Sequence, residues 1–154
     1  MSLLVIQLPA RPRPGTRSGS VEPVPGWRLP QTWAYAHSLD ERQLARSGRA
    51  SVERLPAADR VLAVLADVDC AWHRITLPKA PPARLRAALA GVMEEVLLDD
   101  DGHLHLALGG DAVPGQPGWV AVVNRPWLQA LLTALEARGL SVERVLPASR
   151  PVEV

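Results

Sequence analysis

A chain of 154 residues with 17 Lys and Arg against 16 Asp and Glu carries a formal net charge of +1, and 47% of it is hydrophobic. Near-neutrality excludes the single-sign field that gathers nucleic acid or anionic membrane. No run reaches the ~18–20 apolar residues that span a bilayer, residues 1–9 lack the flanks of a signal peptide, and the lone Cys70 excludes an internal disulfide or a cysteine-built zinc cage.

The chain thus reads as a soluble globular protein with no sign of export and room for one domain or two small subdomains. Residues 3–8 (LLVIQL) form a short apolar run closed by Pro9 and predict a buried strand. Residues 9–30, dense in Pro, Gly, Arg and Ser, predict a long loop. Residues 32–38 alternate, with Trp33, Tyr35 and His37 on one face, and a turn near 39–41 leads to a second hairpin strand within 42–50. Residues 51–59 predict a short helix, weakened by Pro56. Residues 61–66 (VLAVLA) form the continuous apolar run of a strand covered on both faces. The order β-β-β-α-β opens a ribonuclease-H-like fold, the half-unit of actin-like proteins.

Residues 71–77 predict another strand, with Ala71, His73, Ile75 and Leu77 on one face. Pro81-Pro82 sets a helix start, and Leu85, Leu89, Val92 and Val96 recur at helical spacing. Asp99-Asp100-Asp101-Gly102 turns the chain into strands at 103–108 and 119–123. Pro126 opens a second helix whose inward residues are expected to be Leu128, Leu131, Leu132 and Leu135, with Gly139 as its C-terminal cap. Residues 141–146 give the last strand. The expected class is α/β (α+β), in two subdomains: a β-rich ribonuclease-H-like unit over 1–69 and a βαββαβ ferredoxin-like unit over 70–150.

Few residues suggest chemistry. Setting Gly102 at position 6 of an EF-hand loop puts Leu97 at position 1 and Leu108 at position 12, so two essential ligands are missing. His103 and His105 share a strand face and could chelate a metal, with Asp101 as a third ligand, but isolated pairs of this kind are more often surface residues. Cys70 and His73 are close in sequence, yet nothing nearby supplies the electropositive pocket of a thiol nucleophile. No GxSxG elbow, Walker A or GxGxxG is present. An actin-like ATPase needs an Asp at the end of its first strand, followed by a Gly-rich hairpin. Here that strand carries Gln7 and runs into Leu8-Pro9-Ala10-Arg11-Pro12, where a neutral amide and a proline without an N–H cannot serve. No residue is assigned a catalytic, cofactor or metal role, and no cofactor is expected.

The segments 75–78 (ITLP), 85–89 (LRAAL), 93–97 (MEEVL), 101–109 (DGHLHLALG) and 120–125 (VAVVNR), continued by Leu128–Leu132, Gly139-Leu140 and Val145-Leu146-Pro147, resemble the cytoplasmic domain of the type II secretion system protein L family. The resemblance covers most of residues 60–150. It implies an actin-like scaffold that has lost nucleotide chemistry and that docks the N-terminal domain of the secretion ATPase, protein E, at the cytoplasmic face of the bacterial inner membrane. It also implies pairing with protein M through regions this chain lacks: a second lobe, a membrane helix and a periplasmic domain. The chain is accordingly expected to be the N-terminal portion of a longer protein; self-association stays open, and no nucleic-acid partner is expected. Trp27, Trp72, Trp119 and Trp127 are candidate interface anchors, each more often core, and the acidic 93–101 stretch is a candidate face for a basic partner. Two alternatives stand beside docking: an ATPase lobe completed by a missing half, and a small-ligand or metal-binding ferredoxin-like domain using His103 and His105.

Overall fold

The computed structural model describes residues 1–11, 29–94, 104–109 and 112–151. Eight strands and two α-helices are found among them, arranged in two sheets. Strand β1 (Leu3–Gln7) pairs antiparallel with β2 (Trp33–Ser38), which pairs antiparallel with β3 (Arg46–Ala50). On its other side β1 pairs parallel with β4 (Arg60–Leu65). The helix expected over 51–59 shrinks to one 3₁₀ turn, Val52–Arg54; Pro56 has no N–H to carry a helix further.

The second half departs from the expected ferredoxin-like sheet. Strand β5 (Cys70–Thr76) pairs antiparallel with β7 (Pro117–Asn124), and β7 with β6 (Leu104–Leu108), closing a three-stranded sheet ordered β5-β7-β6. The last strand, β8 (Arg144–Pro147), does not join it. It pairs parallel with β4, giving the five-stranded order β3-β2-β1-β4-β8. That order, with its first three strands antiparallel and its last two parallel to β1, completes the ribonuclease-H-like sheet whose opening the sequence predicts. Residues 70–124 are inserted between its fourth strand and its closing helix and strand.

The chain accordingly divides into a unit of Met1–Asp69 with Trp127–Ala148, and a unit of Cys70–Pro126 with Ser149–Val154. The expected second subdomain over 70–150 is therefore corrected. The physical reason lies in β4, which is apolar on both faces and needs a partner along each edge; β8 supplies the second edge. A parallel pairing requires a long crossover, and α2 (Arg125–Ala137) supplies its last part.

In the first unit the buried side chains alternate along the strands: Leu4 and Ile6 of β1, Trp33 and Tyr35 of β2, Val61, Ala63 and Leu65 of β4. Helix α2 contributes Trp127, Leu131 and Leu135, spaced four apart on one stripe. Of the inward set expected from sequence, Leu128 and Leu132 are only half-buried and flank that stripe. The helix ends in a Schellman motif: Leu140 N–H donates to Leu135 O at 3.0 Å and Gly139 N–H to Glu136 O at 2.8 Å, with Gly139 left-handed at φ 87°. Nothing lies within 4 Å of where a Gly139 Cβ would sit, so Gly139→Ala meets backbone strain alone. It should cost roughly 1 kcal/mol and lower the melting temperature by about 2–4 °C, read by calorimetry.

In the second unit helix α1 (Pro82–Glu94) buries Leu89 and Met93 against Leu77, Val120 and Val122, with Ile75, Leu104, Leu106 and Leu108 packed around them. Met93 takes the place in the stripe expected for Val92, which is 38% exposed, and Val96 lies outside the described residues. A Cβ on Gly118 would sit 2.9 Å from Leu77 Cδ1, which accounts for a glycine inside β7.

Four carboxylates hold the ends of the five-stranded sheet. Asp40 Oδ1 accepts the N–H groups of Arg42 and Gln43, both at 2.9 Å, in the turn between β2 and β3. Asp59 Oδ2 accepts from Ser2 N and Oγ, and Arg60 bridges Glu143 and Glu41 at 3.0 and 2.8 Å. The Gln43 and Arg42 amides hold Asp40 below the usual aspartate range, the Ser2 donors do the same for Asp59, and Arg60 does so for Glu143. A carboxylate depressed in the folded state contributes stability above its unfolded pKa, about 4, and loses it as pH falls through the folded value. The melting temperature should therefore fall as pH drops below about 4. Asp40→Asn keeps an acceptor oxygen without the titration, so a melting series from pH 7 to 2.5 should show a shallower acid slope for that variant.

Candidate functional site

In parallel α/β sheets ligands gather beyond the carboxyl ends of the strands, which makes the ends of β1 and β4 the first place for a site to form. Strand β1 closes on exposed Gln7, and Leu8 is buried with its N–H donated to Val64 O at 2.8 Å. The amide and Pro9 thus occupy the place where an actin-like ATPase carries its metal-binding Asp. A carboxylate not singled out from the sequence lies alongside: Asp69, in the 3₁₀ turn Asp67–Asp69 after β4. Its Oδ2 accepts the Arg11 N–H at 2.8 Å, and its Oδ1 is buried without a hydrogen-bond partner. The signal was present as an acidic pair just after an apolar strand. Its meaning depended on β4 lying beside β1, which local sequence does not encode.

The metal and thiol candidates come apart on the three-stranded sheet. Cys70 and His73 are three apart on β5, so they face opposite sides; Cys70 is buried at the strand's start. His105 is paired through Val123 with Cys70, two strand spacings or about 10 Å away along the same face. Burial pushes His105 below the ordinary histidine value, and the charges of Arg86 and Arg125 add to the shift. The same two arginines oppose a metal cation there. His103 and Asp101 lie outside the described residues, as do Trp27 and the acidic stretch beyond Glu94. Among the described residues no cluster of three or more metal-ligating side chains occurs.

The tryptophans divide by role. Trp33 and Trp127 are core, 2% and 1% exposed. Trp72 and Trp119 are half-buried on one face of the three-stranded sheet, where the Arg74 guanidinium lies over the Trp119 ring at 5.9 Å from its centroid. No helix of the described residues is long and apolar enough to cross a membrane.

A sequence model of the family described as type II secretion system (T2SS), protein L, matches residues 31–150. The chain belongs to the type II secretion system protein L family. Among curated relatives, protein L of Dickeya chrysanthemi is 32% identical over 118 residues, spanning 71% of this chain and 29% of that protein. Protein L of Pectobacterium carotovorum subsp. carotovorum is 27% identical over 125 residues, spanning 77% of this chain and 29% of that one. The chain thus spans less than a third of the length of these protein L relatives.

The fold agrees with the family. The cytoplasmic domain of EpsL, an inner-membrane component of the type II secretion system of Vibrio cholerae, superimposes with a TM-score of 0.66 at 21% identity, covering 98% of this chain and 60% of that one. A chain of the PilM–PilN type IV pilus biogenesis complex superimposes with a TM-score of 0.51 at 14% identity, covering 79% of this chain and 44% of that one. The mixed α/β, actin-like class expected for protein L from the sequence is the class observed.

Proposed function

We propose that this chain is a non-enzymatic scaffold module of the type II secretion inner-membrane platform. It docks the N-terminal domain of the secretion ATPase, protein E, at the cytoplasmic face of the inner membrane, and it works beside protein M, which pairs with parts of protein L outside the span matched here. Membership of the protein L family over residues 31–150 carries this reading. The end of β1 supports the non-enzymatic part: Gln7 offers no charge to hold a metal and Pro9 no N–H for a phosphate. Co-elution with the purified N-terminal domain of the cognate ATPase tests it. A stoichiometric complex on size exclusion at micromolar concentration is the expected result, and separate elution at that concentration counts against docking.

A second reading keeps one specific observation. Asp69 sits at the carboxyl end of β4 with one buried oxygen unpartnered, the kind of place where an actin-like lobe would meet a nucleotide's metal. Under the scaffold reading magnesium-ATP leaves the melting temperature unchanged. A rise with magnesium-ATP that Asp69→Asn abolishes would favour the ATPase lobe instead.

A further inference from the structure

We draw no further inference here: the strongest candidate, the aromatic patch on the three-stranded sheet where Arg74 lies over the half-buried Trp119 beside Trp72, carries nothing because nothing in the structure shows what covers it.

Discussion

Trp127→Ala should lower the stability of the chain by about 3–5 kcal/mol. Trp127 is 1% exposed and opens the buried stripe of α2, followed by Leu131 and Leu135, both at 0%. Removing the indole leaves a large void in the core of the first unit, and close-packed interiors collapse only in part around such a void. Because a domain's whole stability is typically about 5–15 kcal/mol, the variant should lose a large share of it and melt well below the wild type. The loss should also be local. Amide hydrogen exchange should speed most in β1, β4 and β8, the strands of the unit to which α2 belongs. If exchange sped most in β5–β7 instead, α2 would belong to the second unit, as a ferredoxin-like arrangement requires.

Met93→Ala should cost about 2–5 kcal/mol and give the complementary pattern. Met93 is 0% exposed at the centre of a small cluster with Leu77, Leu89, Val120 and Val122. One helix over three strands leaves little apolar surface to spare, so the loss of one thioether chain falls on few remaining contacts. Exchange should speed most in β5, β6 and β7 and leave β1 and β4 comparatively protected. Equal acceleration in both sheets would show that the two units unfold as one and would contradict their division. Denaturant melts of the two variants, run beside exchange, give the magnitudes.

How far the sequence carries can be seen at particular residues. The alternation of Trp33 and Tyr35, the apolar run at residues 61–65 and the Pro82 and Gly139 boundaries were all legible, because period, proline and left-handed glycine act over a few residues. The partner of β8 was not legible. A β-α-β-β-α-β order is shared by a single ferredoxin-like sheet and by a three-stranded insert whose last helix and strand return to another sheet. Only the need of β4 for a second edge partner decides between them. The shift from Val92 to Met93 in α1 has the same origin: an apolar residue on each side of the stripe satisfies the periodicity, and the facing sheet selects one.

The candidate site follows the same division. Gln7 and Pro9 could be read directly as unsuited to nucleotide chemistry, since that judgement needs only the donors and charges of the side chains themselves. Asp69 could not be valued until β4 was seen beside β1. Separating Cys70 from His73 needed only the two-residue period of a strand.

The scaffold account is tested most directly by calorimetric titration of the purified N-terminal domain of the cognate secretion ATPase into this chain, with magnesium-ATP titrated in parallel. The account predicts saturable binding of the ATPase domain at micromolar affinity or tighter and no heat from the nucleotide. Heat from magnesium-ATP with none from the ATPase domain would contradict it and return the chain to the actin-like enzymes.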